Sequence, residues 1–135
     1  MRHLIATLAF ASIAAAAPIS ADEIGQDLYM QYCATCHGTD AKGAGPLAEH
    51  MITAIPDLTT LAERNPKAQG EFPMLDVIHI VDGRTGLRAH GGPMPVYGAI
   101  FAAEGADREK WGEVMYTRGR VMSLVYYLES LQQPS

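Results

Sequence analysis

The stretch Tyr32-Cys33-Ala34-Thr35-Cys36-His37-Gly38 holds both cysteines of a 135-residue chain, and its reading decides the fold. Outside the cytosol a lone cysteine pair suggests a disulfide, and two intervening residues also suit a thioredoxin-like thiol pair. A zinc site needs four ligands, and no second cysteine pair exists to complete one. The histidine directly after Cys36 separates these readings, because Cys-x-x-Cys-His is the attachment signature of c-type haem. Two thiols at that spacing can each bond one vinyl group of the same porphyrin, and the adjacent imidazole is then held beneath the iron. On this reading Cys33 and Cys36 carry the haem, and His37 is the proximal iron ligand.

Working outward, Gly25, Leu28, Tyr29 and Tyr32 fall at i, i+3, i+4 and i+7, one face of a helix, and Asp22, Glu23 and Asp27 place acidic charge in its first turns. The haem motif is therefore expected to end a short N-terminal helix. Farther upstream, Arg2 and His3 precede the uncharged run Leu4 to Ala17, followed by Pro18, Ile19, Ser20 and Ala21. That pattern reads as a secretory leader over residues 1–21, cut after Ala21 or near Ala15-Ala16-Ala17, with the domain proper at 22–135 and a periplasmic location. An uncleaved anchor is the competing reading, but the run falls short of the roughly 20 residues that span a bilayer. No later stretch is long enough to span. The chain is 48% hydrophobic and 19% charged, as expected of one globular domain. Its net charge of −5 becomes −6 once Arg2 leaves with the leader. An acidic surface argues against nucleic-acid binding, which needs phosphate neutralisation.

At the other end Val121, Leu124, Leu128 and Leu131 repeat the helical spacing, with Val125 and Tyr127 widening the stripe and Pro134 closing it. The start of this C-terminal helix is open, because Gly112 and Gly119 interrupt the pattern. Between the ends, Asp57 is placed to cap a helical turn over Leu58–Arg64 before Asn65-Pro66. Pro73 is placed to open a helix over Met74–Val81 ended at Gly83. Val77, Ile78, Ile80 and Val81 are β-branched, so a strand competes there. Short apolar runs between Pro and Gly favour an all-α domain.

The iron needs a sixth ligand. Met30, Met74, Met115 and Met122 read as packing residues. Met94 differs: it sits in His90-Gly91-Gly92-Pro93-Met94-Pro95, where prolines fix φ and glycines allow close approach to a flat ligand. His90 and His79 remain the alternatives.

These features together resemble the class I c-type cytochromes, small bacterial monohaem proteins, over Asp22 to Gln132. The family pattern is matched by Gly25 and Tyr29, by Cys33 to Gly38, by Gly45-Pro46, by Met94-Pro95 with Gly98, and by Tyr127-Leu128. The resemblance implies N- and C-terminal helices packed together around a covalently bound haem c, with Gly25 and Tyr29 against the helix of Tyr127. It implies a Pro46 carbonyl holding the Nδ1 proton of His37, and Met94 as distal iron ligand. Arg84 and Tyr97 are further haem contacts by analogy. The function implied is single-electron transfer, without bond chemistry, between a redox protein donor and acceptor, by a monomeric carrier that is not itself an enzyme. A haem c subunit of a larger oxidoreductase is the nearest alternative. A ligand-binding haem sensor or peroxidase would need an open sixth position. The stretch Ala99 to Met115, with the sole tryptophan Trp111, departs from the short family members and should either lengthen the C-terminal helix or form a loop over the haem edge.

Overall fold

The computed structural model describes residues 21–84 and 92–133. His90, Pro134 and residues 1–20 of the expected leader lie outside them. Among the described residues the regular elements are helical: α1 (Ala21–Tyr32), α2 (Ala34–His37), α3 (Met74–Asp82), α4 (Tyr97–Glu104) and α5 (Lys110–Ser130), with a 3-10 turn at Ala48–His50. None of these helices is long and apolar enough to cross a membrane.

The N- and C-terminal helices form the most extensive helix contact, as expected. Gly25 is the crossing point: a Cβ there would overlap the Ser123 carbonyl oxygen and lie 2.6 Å from the Tyr127 Cβ. One turn on, Tyr29 is fully buried with its ring 5.5 Å from that of Tyr127. Leu28, Val121, Leu124, Val125 and Leu128 complete the seam. Removing such side chains from water supplies most of the folding drive. α5 begins at Lys110 and runs through Gly112 and Gly119 without a break; the Cβ position of Gly119 faces open space.

α3 forms where the pattern puts it, so helix prevails over strand at Val77 to Val81. Its C-cap is Gly83 in the left-handed region (φ 65°), donating its N–H to the His79 carbonyl. The 99–115 stretch neither extends α5 leftward as a whole nor loops over the cleft. It builds most of a separate helix, α4, which starts after Pro95-Val96, buries Phe101 completely and stops at Gly105. Arg120 of α5 ties α4 down: its guanidinium is 3.1 Å from the Glu104 carboxylate and 4.6 Å from the Phe101 ring centre. Trp111 is 80% exposed.

The helical turn expected over Leu58–Arg64 is replaced by consecutive non-helical turns. Asp57 does accept from the Thr59 N–H (2.8 Å) and hydroxyl (2.7 Å), but the helix is interrupted by tertiary structure. In a helix the Ala62 N–H would bond to the Leu58 carbonyl. Here the Gln132 carboxamide stands between them, accepting from Ala62 N–H at 3.0 Å and donating to Leu58 O at 2.8 Å. The end of α5 thereby captures the 58–62 turn.

Candidate haem-binding cleft

The haem motif occupies a single turn. The chain leaves α1 at Tyr32, and Cys33 then accepts both the Cys36 N–H (3.1 Å) and the His37 N–H (2.8 Å) on its carbonyl. This turn puts Cys33, Cys36 and His37 at i, i+3 and i+4, on one side of α2. All three line one cleft. Gly38, at φ 81°, turns the chain away, and its carbonyl accepts the buried Tyr29 hydroxyl at 2.6 Å.

The cleft has a volume of about 230 Å³, with an apolar inner chamber of about 130 Å³ beside it. Cys33, His37, Pro56, Ile80 and Met94 line both. Among the described residues no Asp, Glu, Lys or Arg lines either one. A large, flat, mostly apolar group fits such walls. The inner chamber is finished by Leu58, Leu61, Val77, Leu124 and Leu128, so helices α3 and α5 form its floor.

The chemistry of the donors points the same way. His37 is buried and bonds through Nδ1 to the Pro56 carbonyl at 3.2 Å, which leaves Nε2 as the ring's free lone pair. Burial lowers its pKa, and the Pro56 bond offsets part of that. Burial thereby favours the neutral imidazole, the form that ligates iron. Burial, helped by the neighbouring Cys36 charge, pushes the Cys33 thiol up to about 12. Thiol exchange needs a thiolate, so a thioredoxin-like attack from Cys33 is disfavoured. Among the described residues no group of three or more His, Cys, Asp and Glu is placed to hold a metal ion directly.

One expected contact is replaced. The acceptor of the His37 Nδ1 proton is the Pro56 carbonyl, not that of Pro46. The reason lies in Gly45: its N–H bonds to the Cys36 carbonyl (3.0 Å), and Leu47 N–H to that of Thr35 (2.9 Å), so residues 45–47 lie against the backbone of α2. A Cβ on Gly45 would come within 2.7 Å of the Ala34 carbonyl oxygen. Pro46 is exposed there, and the 51–56 segment reaches the imidazole instead.

Met94 is half-buried, packs on the core and lines both chambers. His79 is exposed on α3 and does not line the cleft. Tyr97 lines the cleft and donates its hydroxyl to the Tyr32 carbonyl at 2.6 Å. Arg84 is exposed, does not line the cleft, and forks its guanidinium onto Asp82. Of the methionines read as packing, Met74 packs on the core, whereas Met30 and Met115 are 45% and 65% exposed. Both lie off the buried stripes of their helices. Pro56, Met51 and the wall between them were not singled out by the sequence. Pro56 acts through a backbone carbonyl, which no residue pattern advertises.

Comparison with known proteins follows the same line. The family model described as Cytochrome c matches residues 23–132, from the first turn of α1 to just past the end of α5. No curated protein matches the chain. No solved structure matches it either. With the family model spanning nearly the whole described chain, the protein belongs to the cytochrome c family.

Proposed function

We propose that this protein is an exported monohaem carrier of single electrons, with haem c joined to Cys33 and Cys36 and its iron held by His37 and Met94. Family membership itself brings covalently attached haem c with iron, and redox partners. The observation that carries the finer reading is that the cysteine pair, an Nδ1-bonded imidazole and a proline-bracketed thioether all line one cleft that is free of charged side chains among the described residues. The leader over residues 1–21 supports export to the periplasm, with a mature chain beginning at Asp22.

When bound, haem c supplies a one-electron couple at its iron. The chain's own work is to bind, orient and exclude water. The Pro56 carbonyl fixes the His37 tautomer and ring plane, a contact that also raises the basicity of the ligating nitrogen. Apolar walls and a thioether ligand both favour the ferrous state and so a higher reduction potential. With His37 and Met94 both holding the iron in either oxidation state, little in the chain would have to move when an electron is transferred.

Spectra of the purified holoprotein test this. The ferric form should show the weak near-infrared sulfur-to-iron band, and the ferrous form should bind little carbon monoxide. Met94→Ala should abolish the band, lower the potential and admit carbon monoxide. A bis-histidine spectrum, or a band unchanged in Met94→Ala, would refute the methionine assignment. A subunit role in a larger oxidoreductase is the second reading, favoured by the exposed pair Trp111 and Met115 one turn apart on α5. A partner that copurifies through high salt would select it.

A further inference from the structure

The end of α3 interlocks with the chain just beyond Met94-Pro95. Arg84 donates from Nε to Asp82 Oδ1 at 2.7 Å and from Nη2 to Oδ2 at 2.8 Å, and its backbone N–H reaches the same carboxylate at 3.2 Å. This pair is seated on Gly98, the second residue of α4: a Cβ at Gly98 would overlap Asp82 Oδ1 and lie 2.6 Å from Arg84 Nε. Between the pair, Gly83 sits against Val96, with its Cβ position 3.4 Å from the Val96 Cα and Cγ1. From the other side the Tyr97 hydroxyl is fastened to the Tyr32 carbonyl, next to Cys33. The segment Val96–Gly98 is therefore gripped between the end of α3 and the end of α1. Met94 stands two residues upstream of it, between two prolines.

We propose that the Asp82–Arg84 ion pair, seated on Gly98, is a latch that positions Met94 in the cleft. The inference rests on Met94 being the distal iron ligand. Asp82 and Arg84 are positioning residues, acting through the backbone of Val96 to Gly98. As a partly exposed pair it adds only modestly to global stability, since such ion pairs are screened by solvent. Its effect is geometric: the planar fork is fixed by two parallel bonds, and Gly98 leaves room for it and for nothing larger. Pro93 and Pro95 fix φ, so a shift at Val96 is passed to the Met94 thioether rather than absorbed by the loop.

The test uses the holoprotein and a competitor for the sixth position, imidazole, titrated into the ferric form while the near-infrared sulfur band is followed. Arg84→Gln and Asp82→Asn should keep the band but raise imidazole affinity about three- to tenfold, because a loosened thioether is displaced more easily. Arg84→Lys, which keeps the charge and loses the fork, should fall between. Gly98→Ala should raise affinity further; if it fails to fold, the two polar variants still decide. A pair that is only structural would lower the melting temperature and leave imidazole affinity unmoved in every variant, and that result overturns the latch. The two readings fail differently. A parent protein with no sulfur band overturns the methionine assignment and the latch with it, whereas a parent with the band and unmoved affinities overturns the latch alone.

Discussion

Adding a single methyl group at Gly25 should separate α1 from α5. In isolation Gly→Ala within a helix is favourable by about 1 kcal/mol. Here the new Cβ would overlap the Ser123 carbonyl oxygen and stand 2.6 Å from the Tyr127 Cβ. The first obstacle is backbone, which cannot rotate away, so the helices must move apart along the seam that buries Tyr29 and Leu124. Overpacking of this kind costs typically 1–3 kcal/mol, and an obstacle fixed in α5 puts Gly25→Ala at the upper end, about 3. The net is a loss of about 2 kcal/mol, or roughly 10 °C in melting temperature for a domain of this size. Gly119→Ala is the internal control: same helix pair, nothing within 4 Å of the new Cβ, and an expected gain of about 0.5–1 kcal/mol. Thermal unfolding of the holoprotein followed by far-UV circular dichroism compares the three. If Gly25→Ala melts at or above the parent while Gly119→Ala behaves as stated, the close crossing is not what the glycine provides.

Two further outcomes follow from other contacts. Gln132→Ala strands the half-buried Leu58 carbonyl and Ala62 N–H and should cost about 1–2 kcal/mol in urea unfolding; no loss would mean that the turn closes its own hydrogen bond and never needed the carboxamide. The Arg84 fork holds the Asp82 carboxyl below the ordinary carboxylate range. A carboxyl whose folded pKa is depressed contributes stability above its unfolded value near 4 and loses it as pH falls through the folded value. The melting temperature of the parent should therefore exceed that of Asp82→Asn at pH 5 and above, with the gap closing toward pH 3; a gap independent of pH would show that the charge is not responsible.

The two terminal helices were legible because each carries an unmixed 3.6-residue stripe: Gly25, Leu28, Tyr29 and Tyr32 in α1, and Val121, Leu124 and Leu128 in α5. That the two thiols and the imidazole share one cleft was legible because their fixed spacing puts them on one side of a helical turn. Three features were not. The 58–62 turn looked helical locally and is held open by Gln132, some seventy residues away in sequence. The His37 partner is a carbonyl, and any residue supplies one; the Gly45-Pro46 pair suggested the wrong one because the Gly45 and Leu47 N–H groups on either side of Pro46 tie that segment to the Cys36 and Thr35 carbonyls. Arg84 reads equally well as a haem contact or as a solvated charge, and only the placement of Asp82 beside it gives its guanidinium a partner.

On the proposed function Cys33 and Cys36 fasten one haem to this chain. Intact-mass measurement, after acid–organic extraction, of protein made with a working cytochrome c maturation system addresses it directly. The expected product is a polypeptide heavier by one haem, with that added mass absent from the Cys33→Ala, Cys36→Ala double variant. A parent protein that emerges from extraction at the mass of the bare polypeptide would refute thioether attachment at Cys33 and Cys36.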